Sequence, residues 1–552
     1  MATSFAAWRE QCGLELQDVA TEFDEPIDKV RSWESGLALP PERVLRTLSI
    51  RASFSPDAQP AGSGDASIHQ DPAVRSSSDV GNRKRKAQLG QFLTPDSVAS
   101  FMASLFTHPW PEEVQLLDAG AGVGTLTQAF VSKWKAGTGR SNLTACAYEI
   151  DEHLLPQLRA NLGKMDAGEV VTRVISADFI TEASTAIRMG NFNKYTHAIL
   201  NPPYRKIGTS SSHRAYLRLA GLETVNLYTG FVGLAVEMLS SSGELVAIIP
   251  RSFCNGPYYE PFRHFILDRT AILQIHLFSA RDKAFSADAV LQENVIIHLK
   301  RGVAQGPVVI SVSTDDTFSD YSARDVPFEK IVATEDRAKF IHIPTDDNEH
   351  LLMRPSFRFS LDDLGINVST GPVVDFRLKE SLRPMPTAET VPLLYPAHFV
   401  GGRVVWPKHG FKKANAILRT PATEKWLFPN GFYTVVRRFS SKEERRRIVA
   451  SVVDPNAVKA SALGFENHLN VFHAGKKPLS EDFAHGLAIY LNSSAVDRYF
   501  RQFNGHTQVN ATDLRAMRYP SREALVSLGK WAAAKPGALD SAAIDQKVMT
   551  LG

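Results

Sequence analysis

The chain has 552 residues, 43% of them hydrophobic and 22% charged, with a formal net charge of +3, which is room for two to four domains and at least one sizeable core. No apolar run approaches the roughly 20 residues of a membrane helix, the opening residues are polar and acidic, unlike a secretion signal, and Cys12, Cys146 and Cys254 form neither a pair spacing nor a metal-ligand cluster. A membrane span, a disulfide framework and a structural metal are excluded on these grounds, and a reducing, cytoplasmic setting is the expectation.

Residues 1–51 read as short helices. "LQDVATEF" (Leu16 to Phe23), a turn at "DEP" and "IDKVRSWESG" (Ile27 to Gly36) are two helical periods in succession, with Gly36 placed to end the second. The stretch resembles the Cro/repressor-type helix-turn-helix family, "SWESG" being its most telling piece. Its charge argues the other way: from Leu16 to Glu34 six acidic residues face two basic ones, a poor balance for a helix lying against phosphates. DNA reading and protein contact both stay open for this module. Residues 52–82, rich in Ser, Asp, Ala, Gly and Pro without apolar period, read as a flexible linker. "RKRK" (Arg83 to Lys86) follows, either a phosphate-contacting arm or solvated charge.

From about residue 90 to 300, apolar runs alternate with helical ones. "VQLLDAG", "LTACAYEI", "VVTRVISADF", "THAILNPPY", "GELVAIIP" and "ILQIHLF" read as buried strands; "ASFMASLF", "LTQAFVSKW" and "GFVGLAVEMLS" read as helices. The alternation predicts an α/β fold with a doubly wound, Rossmann-like parallel sheet over residues 83–305. Beyond it, residues 306–552 read as a mixed α+β substrate-facing domain with a helical tail.

Three features fall at successive strand ends. The first is "LLDAGAGVGTLT", where Gly120, Gly122 and Gly124 are spaced GxGxG, so that a ligand can approach the backbone where no Cβ intervenes. The second is Glu149, a carboxylate able to accept from both ribose hydroxyls of a nucleoside. The third is Asp178-Phe179, where a carboxylate can take an adenine amino proton and a ring can cover the base. Together they describe an S-adenosylmethionine site, with Asp118 and Ala119 on the approach to the glycine turn.

The fourth strand ends on Asn201-Pro202-Pro203-Tyr204. Two prolines cannot continue a ladder, but they fix the direction of the Pro202 carbonyl at little entropic cost. An aromatic exocyclic amine is a poor nucleophile because its lone pair is delocalised into the ring. Acceptors on both N–H bonds, the Asn201 side-chain oxygen and the Pro202 carbonyl, draw that lone pair out of conjugation. The Tyr204 ring can stack on the base, worth roughly 1–3 kcal/mol, against the few needed to unstack it from DNA. No metal or acid–base residue is required, since the sulfonium leaves readily and the product's proton goes to water.

The order "GQFLTP", "DAGAGVG", "NPPY" and a variable carboxy-terminal region resembles the γ class of amino-methylating DNA methyltransferases. "GLETVNLYTGFVGLAVEML", "GELVAIIPRSFCNGPYYEPFR", "DAVLQENVII", "GFENHLNVFH" and "FNGHTQVNATDLRAMRYPS" resemble, more narrowly, the PstI/BsuBI type of modification methylases, over roughly residues 83–525. The resemblance implies an N6-adenine DNA methyltransferase that flips its base and protects host DNA in a type II restriction-modification system, at a site like CTGCAG. It implies that Phe92, Thr94 and Pro95 fold over the methionine end of S-adenosylmethionine, although Thr94 or Asp96 can equally cap a helix. It assigns Asp118, Gly120, Gly122, Glu149, Asp178 and Phe179 to the cofactor, with Ala119, Gly124 and Asn201 beside them, and Asn201, Pro202, Pro203 and Tyr204 to the flipped adenine. A second ring over that base is expected from Phe285, with Phe278 as the alternative. Double-stranded DNA is the implied partner, with a cognate endonuclease acting without a stable complex; the protein is expected as monomer or dimer, associated with the nucleoid through DNA.

Between Val400 and Ile448 twelve Lys or Arg stand against three Glu, a local excess of +9 that leaves the rest of the chain near −6. "RPSFRF", "YPAHFVGGRVVWPKHGFKK" and "VVRRFSSKEERRR" interleave basic and aromatic residues, as phosphate contacts require. In "NGHTQVNATD", Asn504, Gln508 and Asn510 are able to reach an adenine edge or form a polar turn. Competing readings are methylation of cytosine N4, RNA adenine or protein glutamine by the same chemistry, and control of the protein's own expression through the amino-terminal module.

Overall fold

The computed structural model describes residues 5–54, 94–107, 109–137, 142–166, 168–192, 194–279, 293–345, 357–440, 444–504, 507–535 and 540–551. Chain contacts divide into two compact units, one of Met1–Phe253 and Tyr258–Thr345, the other of Cys254–Pro257 and Asp346–Gly552.

The first unit opens with four helices, α1 (Phe5–Gln11), α2 (Leu16–Glu22), α3 (Ile27–Glu34) and α4 (Glu42–Phe54). Their apolar faces close around Val19, Val30, Trp33, Val44 and Leu48, with Phe5 edge-on to Trp33 at 5.8 Å. Gly36 takes φ +73° just past the end of α3, a conformation an L side chain resists. The end of α4 corrects the expected boundary at residue 51. The helix runs on to Phe54, Ile50 enters the apolar core of the following α/β layer, Arg46 donates to the Leu105 carbonyl (3.2 Å), and Arg51 donates to the Tyr321 carbonyl (2.6 Å) and to Glu22. The four helices are therefore packed onto the sheet domain. The rest of the expected linker and Arg83 to Lys86 lie outside the described residues.

Nine strands follow: β1 (Glu113–Ala119), β2 (Asn142–Tyr148), β3 (Val170–Ile175), β4 (Tyr195–Leu200), β5 (Leu239–Pro250), β6 (Thr270–Phe278), β7 (Asn294–Arg301), β8 (Val308–Ser313) and β9 (Ser322–Val326). They form one sheet in the order β3-β2-β1-β4-β5-β7-β6-β8-β9. β3, β2, β1, β4 and β5 pair parallel with one another and all six expected strands are present, but β7 inserts antiparallel between β5 and β6, and β9 is antiparallel to β8. The sheet is thus mixed rather than wholly parallel. The helices between and beside these strands are α5 (Asp96–Ser104), α6 (Thr125–Ala136), α7 (Leu155–Gly163), α8 (Phe179–Arg188), α9 (Ser212–Leu219), α10 (Leu227–Met238), α11 (Glu260–Arg269) and α12 (Phe328–Ile331). β1, β2 and β4 each end on four consecutive buried residues, as strands covered on both faces do. Because β8 and β9 complete this sheet, the division between units falls at Thr345/Asp346 and not at the expected 305/306.

The second unit holds short strands β10 (Asn367–Thr370), β11 (Leu382–Arg383), β12 (Thr390–Leu394), β13 (Phe399–Val400), β14 (Arg403–Val404), β15 (Ala416–Leu418), β16 (Leu427–Pro429), β17 (Tyr433–Arg437), β18 (Ala450–Val453), β19 (Ala462–Phe465) and β20 (Leu469–His473). They make a six-stranded sheet, β10-β20-β17-β18-β14-β13, and a five-stranded one, β11-β15-β12-β19-β16. The tail is helical, as its periodicity predicts: α13 (Glu481–Leu491), α14 (Ser494–Phe503), α15 (Ala511–Ala516), α16 (Arg522–Ala533) and α17 (Ser541–Met549).

Candidate active site

The glycine turn after β1 needs its glycines. Gly120, Gly122 and Gly124 have φ of +82°, +60° and +89°, and a Cβ on Gly124 would stand 3.0 Å from both Leu158 and Leu162 of α7. Gly124 starts α6, so the turn presents backbone N–H groups at a helix N-terminus. A Cβ on Gly120 would lie 3.9 Å from the Asn201 carbonyl oxygen and from Pro203, and 3.8 Å from Phe231. Turn, proline corner and one aromatic ring of α10 are therefore immediate neighbours.

Glu149, at the end of β2, is buried, and its carboxylate accepts from the backbone N–H groups of Gly122 (2.8 Å), Ile150 (2.9 Å) and Asp151 (2.8 Å). Burial nevertheless raises its carboxyl above the usual range, against those hydrogen bonds. Asp118 is wholly buried beneath the turn. It accepts from the Thr127 hydroxyl at 2.7 Å, and its Oδ1 has no partner among the described residues. Burial pushes this carboxyl up to about 7.

That shift gives a stability prediction. Unfolded, Asp118 ionises near its ordinary value of 3.8; folded, near 7. Between those values the folded chain binds the extra proton, so stability falls as pH rises through the window. Asp118→Asn removes this loss, and the stability difference in its favour should grow from near zero at pH 4 to on the order of 2–4 kcal/mol above pH 7. Urea unfolding of both proteins at pH 4.5, 6 and 8 measures it; a pH-independent difference would mean an ordinary ionised Asp118.

Asp178 begins α8, its Oδ1 accepting from Thr181 N (2.9 Å) as an N-cap. Its Oδ2 lies 2.8 Å from His213 Nε2 of α9, a residue the sequence reading did not single out. Burial works to raise the Asp178 carboxyl, but the His213 and Thr181 hydrogen bonds outweigh it and hold the group below the usual range. The same hydrogen bond lifts His213, against burial and Arg205. Phe179 is only 3% exposed, wedged between Tyr148 (5.2 Å) and Phe231 (5.2 Å). The ring expected to cover a base is thus a buried neighbour of that place, and the partly exposed Phe231 reaches the glycine turn instead. Neither His213 nor Phe231 carried a sequence signal: one opens an ordinary helix, the other lies in a helical apolar run.

β4 delivers Asn201 at its end, as the sequence predicts. The Asn201 amide nitrogen donates to Thr94 Oγ1 (2.9 Å), and its oxygen lies 2.9 Å from the Tyr204 hydroxyl. That hydroxyl also stands 3.1 Å from the Ile248 carbonyl of β5, so its single proton serves either acceptor. Burial pushes the Tyr204 phenol far above its usual range, keeping it protonated. Pro202 is buried, Pro203 half-buried, and Pro95 precedes the first residue of α5, so Thr94 comes to Asn201 from the turn before that helix. Phe92 and Phe285 lie outside the described residues. Phe278, the alternative to Phe285, is a core residue, 5% exposed and packed edge-on to His276 and Phe318. Among the described residues no group of three His, Cys, Asp or Glu is placed to hold a metal, and no helix is long and apolar enough to cross a membrane.

In the second unit, two expected base readers prove to be struts. Asn504 is buried, accepting from Arg447 (3.0 Å) and donating to Asp513 (3.1 Å) and the Gln508 carbonyl (3.0 Å); Asn510 caps α15 in a reciprocal pair with Asp513. The basic excess is also smaller than it reads. Arg447 is buried, and Lys413, Arg419 and Arg437 pair with Asp375, Glu424 and Glu444.

A family profile, Eco57I restriction-modification methylase, matches residues 139–285. The Type II methyltransferase M.BsuBI of Bacillus subtilis is 52% identical over 477 residues, 85% of this chain and 95% of that protein. The Type II methyltransferase M.PstI of Providencia stuartii is 45% identical over 450 residues, covering 80% and 88%. Among solved structures, the DrdV–DNA complex aligns over 93% of this chain and 63% of that one, at TM-score 0.46 and 11% identity, a level that bears on neither activity nor specificity.

Proposed function

The chain belongs to the Type II methyltransferases of the M.BsuBI and M.PstI kind, and from that premise we propose that it methylates the N6 amino group of an adenine flipped out of duplex DNA, within a type II restriction-modification system. The observation that carries the proposal is the Asn201 amide, held by Thr94 and Tyr204 at the end of β4 beside the glycine turn.

The residues present fit S-adenosylmethionine: the positive-φ glycine turn presents backbone N–H groups at a helix N-terminus, Glu149 stands at the neighbouring strand end, and Asp118 keeps a buried oxygen without a partner among the described residues. The cofactor, when bound, supplies an electrophilic methyl group. Glu149 would hold its ribose, Asp178 its adenine amine, and Thr94 with Asn201 would stand near its methionine end. The Asn201 oxygen has two lone pairs, enough for Tyr204 and a substrate N–H together. With the Pro202 carbonyl on the amine's other N–H, the lone pair is drawn out of the ring plane's conjugation. Tyr204, tethered at Ile248, presents its face to the base. Promoter binding by the amino-terminal helices draws no support from α3, whose Lys29 and Arg31 already pair with Glu25 and Asp28.

The test is single-molecule sequencing of DNA from a host without adenine methylation that expresses this protein. N6-methyladenine at one short motif, CTGCAG or a relative of it, is expected. N4-methylcytosine, or no mark although the purified protein binds S-adenosylmethionine, would overturn the assignment.

The Asp178–His213 pair adds a pH dependence. A histidine whose folded pKa is raised is fully charged in acid and loses its ionic hold on Asp178 as pH rises through that raised value. Cofactor affinity should therefore improve as pH rises from the ordinary histidine value of 6.5 through that raised value. His213→Ala should remove that component, a change of no more than about fivefold for a pair this exposed. Calorimetric titration of both proteins across the range gives the comparison; equal slopes would place His213 outside cofactor binding.

A further inference from the structure

Three runs far apart in sequence, "VVRRF", "GFENHLN" and "TQVN", meet at one end of the six-stranded sheet, where β17 leaves and β20 enters. Their backbones are tied together. Arg438 N donates to the His468 carbonyl (2.8 Å), Val509 N to the Arg438 carbonyl (2.7 Å), Ser440 N to the Thr507 carbonyl (3.3 Å), and the Asn470 side chain to the Val509 carbonyl (2.7 Å). On this frame stand four side chains that are exposed or half-buried. The Phe439 ring is 40% exposed and lies 5.0 Å from the His468 ring, whose Nδ1 is held by Glu466. The Arg438 guanidinium lies 5.8 Å from the Phe439 ring and makes two long hydrogen bonds among the described residues, 3.3 Å to the Asn467 carbonyl and 3.3 Å to Gln508 Oε1. Gln508 is half-buried, and its Oε1 is the atom Arg438 meets.

Resting on the reading of the chain as a DNA methyltransferase, we propose that Arg438, Phe439, His468 and Gln508 form the platform that reads base edges of its target site. The chemistry matches DNA on three counts. An amide with donor and acceptor side by side is complementary to adenine N6 and N7, and a guanidinium fork to guanine O6 and N7. The exposed Phe439 ring, tilted 39° from the His468 ring, gives an apolar face for a thymine methyl or an unstacked base. The backbone bonds tie the turn and loop residues that carry these side chains to one another beside the ends of β17 and β20, and such bracing is what discrimination between similar base pairs requires. Asn504 and Asn510, turned inward to Asp513, brace the segment that carries Gln508.

The platform separates base reading from phosphate contact, so its variants should change where the protein acts as well as how fast. Gln508→Ala and Arg438→Lys, which keeps the charge and loses the fork, are made in the full chain beside Phe439→Ala; Arg403→Ala on the exposed β13–β14 hairpin is the comparison. Methylated positions are mapped by single-molecule sequencing of co-expressed DNA, and rates are measured on a duplex carrying the motif the wild type marks. Gln508→Ala and Arg438→Lys should lose about 10- to 100-fold at that site and mark sites differing by one base pair. Phe439→Ala should slow the same site, Arg403→Ala should keep the wild-type motif, and all four should keep wild-type cofactor affinity and melting temperature.

Wild-type motif and rate in both Gln508→Ala and Arg438→Lys would overturn the platform. So would a uniform loss of rate with the motif unchanged, which would make it a phosphate contact. A wild type that marks no DNA while binding S-adenosylmethionine would instead overturn the methyltransferase reading on which the platform rests.

Discussion

Asn201→Ala is expected to lower methyl transfer by about 100- to 1,000-fold, the cost of removing one preorganised polar partner from a reacting centre, while leaving the protein folded. The amide links Thr94 to the Tyr204 hydroxyl at this corner. Without it, on the proposed adenine-N6 reading, the amine would keep at most the Pro202 carbonyl as an acceptor, and its lone pair would stay in conjugation with the base. The ring of Tyr204 should hold its place, because the Ile248 carbonyl still anchors its hydroxyl. Asn201→Asp, which keeps an acceptor but loses the N–H donated to Thr94, should fall between the two. Single-turnover rates on a duplex carrying the mapped motif, with cofactor affinity measured separately, make the test. An alanine variant retaining more than a tenth of the wild-type rate would remove Asn201 from the chemistry.

The largest effect on stability is expected from Gly486→Ala or Gly529→Ala. α13 and α16 cross there backbone to backbone. A Cβ on Gly486 would lie 1.8 Å from the Leu525 carbonyl oxygen, and one on Gly529 1.9 Å from that of Asp482. No side chain can rotate away to relieve either clash, so the helices must separate. α13 is itself pinned to β17 by the Thr434 hydroxyl, which donates to the Ala484 carbonyl at 2.8 Å. In an open helix, Gly→Ala would stabilise by roughly 1 kcal/mol; here we expect a loss of about 3 kcal/mol or more, at the upper end for overpacked cores. Gly163 at the end of α7, with nothing within 4 Å of a built Cβ, is the control and should gain slightly on the same change. Urea midpoints of the three variants decide it. Equal shifts at Gly486 and Gly163 would mean the crossing is loose.

What was legible in the sequence was local in origin. The buried strands from Glu113 to Phe278, the glycine turn at Gly120 to Gly124 and the proline corner after Leu200 depend on burial pattern, positive φ and missing N–H groups, all of which a short window contains. The place of Glu149, Asp178 and Asn201 at successive strand ends followed from the same pattern. The α2 and α3 helices were legible too, from their apolar period and the glycine beyond the second.

Tertiary structure decided everything that depends on which distant segments meet. It placed β7 antiparallel between β5 and β6 and added β8 and β9, because hydrogen-bonded register joins residues dozens of positions apart. It buried Phe278 and Phe179, turned Asn504 inward, set His213 against Asp178, and seated α4 on the sheet through Ile50. Each of these residue types is compatible with either outcome in isolation. A phenylalanine is as able to stack on a base as to fill a core, and an asparagine as able to reach a base edge as to satisfy a buried carboxylate. Sequence alone therefore determined the elements and the chemical vocabulary of the site. Long-range packing and the need to pair buried polar groups determined which of its words were used for holding the fold together and which remained for function.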